Sequence, residues 1–111
     1  MVFPTSAALL DACVLAVLSK GDTYGYALTQ QIKEKLGVSE STLYPVLRRL
    51  QREAFLTAYD QPFDGRNRRY YQITPEGERQ LAWYREEWKT YRSGIDSILL
   101  TDTERNGDKD E

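Results

Sequence analysis

Histidine is missing altogether from these 111 residues, and cysteine occurs once. Without histidine neither a Ser-His-Asp triad nor a Cys-His pair can be assembled, and a zinc site of cysteine and histidine ligands is equally out of reach. No nucleophile lies beside an activating base, so an enzyme is the most distant reading. No metal or other cofactor is expected. Cys13 alone builds no disulfide framework, and its apolar neighbours Ala12, Val14 and Leu15 argue for a buried thiol in a reducing compartment. The apolar run over residues 7–18, broken only by Asp11, is shorter than the roughly 20 residues a membrane span needs. The residues before it carry no basic side chain, and no small-residue cleavage pattern follows Gly21. A signal peptide is therefore not expected, and the cytoplasm is the expected location.

Linkers and repeats are absent too, which leaves one small domain with a modest core and a second subunit as the simplest source of further burial. The one shift in composition comes after Leu100. Residues 101–111 carry five acids against Arg105 and Lys109, an acidic tail expected to be disordered.

What remains is strongly patterned. A first helix should start near Ser6, with Thr5 or Ser6 as its N-cap, and end before Gly21; being apolar almost all round, it needs cover on more than one side. A second should run from about Thr23 to Leu36, with Tyr24, Leu28, Ile32 and Leu36 at i+4 steps and Gly37 as its stop. Ser39 then caps a third helix, whose stripe Leu43, Val46, Leu47, Leu50 and Ala54 faces a core. Its opposite side presents Ser41, Pro45, Arg48 and Arg52, flanked by Tyr44 and Arg49. Two extended segments follow, residues 56–59 and 69–74, joined by a polar loop over residues 60–68. Thr74, Pro75 and Glu76 open a long last helix. The fold class is thus mainly α with a small β-hairpin, ordered as a winged helix-turn-helix (residues 5–74), a long C-terminal helix (75–100) and the tail (101–111).

The third helix and the hairpin together suggest a reader of double-stranded DNA. The whole chain has a net charge of −2, yet residues 41–72 hold six arginines against three acids, a local balance of +3. The tail, at −3, takes the acidity elsewhere. Arg48 and Arg49, with the wing group Arg66, Arg68 and Arg69, occupy both places where a winged helix touches phosphates. Ser39, Ser41, Thr42 and Tyr44 are the short polar and aromatic groups suited to base edges, in the first turns of the inserted helix. On the last helix Leu81, Tyr84, Trp88, Tyr91, Ile95 and Ile98 repeat at spacings of 3, 4, 3, 4, 3, a coiled-coil seam that asks for a dimer partner.

These residues resemble the PadR family of bacterial transcriptional regulators, in its short form with one C-terminal helix. The resemblance covers residues 8–99. It rests on Tyr24-Gly25-Tyr26-Ala27-Leu28, on the run from Ser41 through Tyr44-Pro45 to Leu50, on the wing's Gly65-Arg66-Asn67-Arg68-Arg69-Tyr70-Tyr71, and on Ile73-Thr74-Pro75-Glu76-Gly77. It implies a homodimeric repressor on a two-fold symmetric operator, released in several members by a small aromatic or lipophilic effector. Tyr44 and Arg48 match the family's recognition-helix positions, and Arg68 and Arg69 match its wing. Trp88 matches the interface tryptophan that stacks on flat ligands in multidrug-sensing members. Ala54-Phe55 departs from the family, where a glycine is usual, so the turn into the wing is expected to differ.

Pro45 admits two readings: a rigid apolar edge beside Tyr44 at the groove, contacting a thymine methyl, or a helix kink without DNA contact. The aromatic stripe Tyr84, Trp88 and Tyr91 likewise reads either as an effector slot or as plain packing. A winged helix used as a protein-interaction module, docking an acidic partner, is the alternative function.

Overall fold

The computed structural model describes residues 2–100, so the acidic tail lies outside the described residues. Chain order is α1 (Ala7–Ser19), β1 (Thr23–Tyr24), α2 (Gly25–Leu36), α3 (Glu40–Arg52), β2 (Leu56–Phe63), β3 (Arg66–Ile73) and α4 (Pro75–Leu99). Three of the four helix starts have a side-chain cap, and α2, entered from Tyr24, has none. Ser6 accepts from Leu9 N, Ser39 from Thr42 N and Thr74 from Gly77 N, each satisfying one orphan amide of a first turn. Gly37 ends α2 in the left-handed region at φ 71°, which glycine adopts without a Cβ penalty.

Two extended regions differ from expectation. Thr23 and Tyr24 are not the first residues of α2 but a short strand paired with Tyr71 and Tyr70, giving a three-stranded antiparallel sheet in the order β1-β3-β2. The hairpin is also longer and its turn tighter than the expected loop over residues 60–68. The strands stay in register out to Phe63 opposite Arg66, and only Asp64 (φ 55°) and Gly65 (φ 82°) turn the chain. Two consecutive positive-φ residues suit the right-handed twist of the strands, and Asp-Gly is a preferred sequence for such a turn.

The core is assembled by leucines: Leu10, Leu15 and Leu18 from α1, Leu28 from α2, Leu43, Leu47 and Leu50 from α3, Leu56 from β2 and Leu81 from α4. The stripe on α3 is as expected except at its end, because Ala54 lies beyond the helix and is exposed. The turn there is a full Schellman motif: Phe55 N donates to Leu50 O at 3.0 Å, Ala54 N donates to Gln51 O at 3.1 Å, and Ala54 sits at φ 66°. Its Cβ is the misfit, since the left-handed region costs non-glycine residues roughly 1–2 kcal/mol. Ala54→Gly is therefore expected to raise stability by about 1 kcal/mol after the entropy glycine adds to the unfolded chain. Urea titration should show a higher midpoint at unchanged slope.

Candidate nucleic-acid interface

The helix-turn-helix is held at a fixed angle by small and polar groups at the α2 and α3 starts. A Cβ on Gly25 would lie 3.3 Å from Cε1 of Tyr44 and 3.4 Å from Cε2 of Tyr71, so the glycine admits both rings against the first turn of α2. Gln30 on α2 donates to the Glu40 carboxylate at the first turn of α3. Tyr44 is consequently half-buried, while its neighbours Ser41, Thr42, Pro45, Arg48 and Arg52 are exposed. Among the described residues no acid pairs with Arg48, Arg52 or Arg66. Ser39 is exposed as well, but its hydroxyl caps the helix and lies 3.0 Å from Ser41 Oγ and 3.1 Å from Thr42 Oγ1. Pro45 stays inside an uninterrupted helix. It stands on the exposed side, where the carbonyl of Ser41, deprived of its i+4 donor, is open to water or a ligand.

The wing arginines divide between the two faces of the hairpin. Strand alternation places Arg66, Arg68 and Tyr70 on one face, with Asn67, Arg69 and the buried Tyr71 on the other. Arg68 is clamped: its guanidinium lies 3.8 Å from the Tyr24 ring centroid and 3.5 Å from that of Phe63. Stacking between two rings removes rotamer freedom from a side chain that would otherwise sample many positions, so the charge is presented in one place. Tyr24 continues this layer onto Tyr70, and Tyr70 stacks on Tyr59, at 5.7 Å in both cases. On the other face Arg69 pairs with Asp60, directly across the strands, at 3.5 Å. Wing and helix together border a cleft of about 530 Å³ whose walls include Tyr24, Tyr26, Tyr44, Phe63, Arg66 and Arg68.

Arg49 stands apart from Arg48. Expected beside Arg48 on the phosphate-facing side, it turns back toward α1, where Nη2 bonds to the buried carboxylate of Asp11. That bond is the main reason the arginine's pKa lies above its ordinary value. The wheel put Arg49 on the flank of the helix, and a flank residue goes to whichever side offers a partner. Asp11, which interrupts an apolar run, was the signal. The seam on α4 is divided in the same way. Leu81 is buried in the chain's own core and Tyr84 is half-buried against α1, whereas Trp88, Tyr91, Ile95 and Ile98 are exposed.

The fold, α3 and the wing therefore have the form of a winged helix-turn-helix with a long trailing helix. A model of the transcriptional regulator PadR-like family matches residues 14–83. The chain belongs to the PadR family. Its fold is close to a crystal structure of a Streptococcus mutans protein, with TM-score 0.83 and 42% identity over 89% of this chain and 93% of that one. A PadR-like transcriptional regulator from Bacillus cereus is similar at TM-score 0.76 and 29% identity, over 83% of this chain and 92% of that one. The negative transcriptional regulator PadR of Bacillus subtilis is 32% identical over 79 residues, 66% of this chain and 43% of that one. PadR-family proteins are transcriptional regulators and not enzymes, and this chain is a transcriptional regulator of that family. No helix among the described residues is long and apolar enough to cross a membrane.

Proposed function

We propose that this PadR-family regulator is a homodimeric repressor of a two-fold symmetric operator. In this reading Ser41, Thr42, Tyr44 and Pro45 meet base edges in the major groove, Arg48, expected from the sequence at a phosphate, reaches a base edge from its exposed place on the same helix face, and Arg66, Arg68 and Arg69 meet the backbone that runs through the cleft. The observation that carries it is the cleft itself. It sets Tyr44 of α3, beside the exposed helix face, against a wing whose Arg66 has no acid partner among the described residues and whose Arg68 is held between two rings. Holding the Arg68 guanidinium between two rings orders its charge in advance, which lowers the cost of ordering it on a phosphate. Exposure of Pro45 favours the groove-edge reading of that residue. Repression follows the Bacillus subtilis relative, whose name describes a negative regulator. Apolar clefts of about 340 and 300 Å³ beside Trp88 are where a flat aromatic effector would lie, next to the partner's α4.

The test is selection of duplexes from a random pool by the purified protein, followed by anisotropy over a salt series. An enriched palindromic sequence is expected. Arg48→Ala should cost about 1–3 kcal/mol on that duplex and relax the preference at the base pair it reads. Arg66→Ala should weaken every duplex alike and lower the salt slope by about one unit. Enrichment of nothing, with equal weak binding throughout, would refute the reading and leave a module that docks an acidic protein.

A further inference from the structure

The carboxylate of Asp11 is nearly enclosed on α1 and is gripped from two other helices. Oδ1 accepts from Nη2 of Arg49 on α3, and Oδ2 accepts from the Tyr84 hydroxyl on α4 at 3.3 Å. A buried acid must be paired and hydrogen-bonded to be tolerated, and an apolar side chain of similar volume is often at least as stabilising. What the acid adds is direction. Interdigitated leucines already restrict how the helices cross, and two hydrogen bonds from one carboxylate add a directional restraint that apolar contacts lack. α3 and α4 have little direct contact with each other apart from the junction of their chain ends. Among the described residues, the polar link from the last turn of α3 to Tyr84 of α4 runs through Asp11.

We propose that Asp11 is a positioning residue for operator reading: through Arg49 and Tyr84 it sets the tilt of the reading helix against α4, and so the separation and phase of the two reading helices. The inference rests on the dimer and DNA contacts proposed above. In a dimer joined along α4, each reading helix is placed in space by its own α4, so any looseness in that tilt is felt at both half-sites. Half-sites of such dimers lie about 34–36 Å apart, one helical turn. Adding one base pair at the dyad moves a half-site by about 3.4 Å and rotates it by roughly 35°. A dimer with stiffly held helices rejects that duplex; one with loosely held helices accepts it.

Affinities of the wild type, Asp11→Asn and Tyr84→Phe are measured on the duplex selected by the wild type, and on versions with one base pair inserted or removed at the dyad. The wild type should lose about tenfold or more on altered spacing, the size of a typical mismatch penalty. Both variants should lose about threefold or less, with base preference inside each half-site unchanged. A merely structural role would weaken all duplexes in proportion and leave the spacing ratio as in the wild type, and that result overturns the proposal. Should Asp11→Asn fail to fold by circular dichroism, Tyr84→Phe carries the test, since it removes one hydroxyl from a half-buried ring. If no duplex is selected, the DNA-reading proposal falls and this one falls with it. If a duplex is selected and both variants keep full spacing discrimination, this inference alone is wrong.

Discussion

Gly77→Ala should destabilise the fold by about 3 kcal/mol, although alanine is the better helix former by about 1 kcal/mol. A Cβ at this position would stand 2.1 Å from the carbonyl oxygen of Phe55 and 2.7 Å from Cγ1 of Ile73. The first obstacle is backbone, which cannot rotate away as a side-chain tip can. It is also backbone that is pinned from several directions. Thr74 N donates to the same carbonyl at 3.1 Å, the Thr74 hydroxyl donates to Ala54 O at 2.7 Å, and that hydroxyl accepts from Gly77 N at 3.0 Å. Relief would therefore break the cap of α4 or the turn that ends α3. Thermal unfolding at fixed protein concentration should show a midpoint lowered by roughly 10 °C or more. A midpoint within a few degrees of wild type would mean that the junction yields cheaply and does not fix α4 to the end of the reading helix.

The same junction shows what a sequence can and cannot disclose. Thr74-Pro75-Glu76 reads directly as a helix start, because capping is local and depends on residue types a few positions apart. Gly77 reads only as a family match, since the reason for it is a carbonyl more than twenty residues away. Ser6, Ser39 and Gly37 were legible for the first reason, and so was the leucine stripe of α3, whose period declares its buried face. Tyr24 was not. Its spacing to Leu28 fits a helix, and only pairing with Tyr70 and packing on Arg68 make it a strand residue. The pattern locates the wing but underestimates its length, because polar strand residues past Tyr59 look like loop until the tight Asp64-Gly65 turn shows them paired. For the candidate site, Arg48 and the hydroxyl-bearing first turn of α3 stand on the expected face. Arg49 does not, because a wheel cannot say that a buried acid on another helix will claim a flanking guanidinium. Nor could strand alternation be applied to Arg66, Arg68 and Arg69 before the register was known.

Joint replacement of Ile95 and Ile98 by aspartate should convert the protein to single subunits in light scattering at micromolar concentration, and lower operator affinity by on the order of 10²-fold or more. The cause lies in α4 itself. Twenty-five residues make a rod of about 37 Å, and beyond Tyr84 none of them is buried by the rest of the chain. Trp88 is 43% exposed, Ile95 39%, Tyr91 65% and Ile98 75%, on one stripe of the helix. An isolated helical arm with such a stripe gains little from propensity alone and is stabilised chiefly by what it packs against. Beside the base of the stripe, α1 offers further uncovered apolar surface at Leu9, Ala12 and Ala16. A second copy satisfies both surfaces with one two-fold contact, since each subunit then supplies the same stripe and the same groove. Aspartates in that contact would be desolvated without partners, and two-fold symmetry repeats each penalty, so the effect should exceed that of Trp88→Ala. Loss of the proposed dimer would leave each half-site to be held by one winged helix, which is why affinity should collapse while base preference survives. An unchanged mass for the double variant would place the subunit contact elsewhere, and would leave the exposed stripe to a partner other than a second copy.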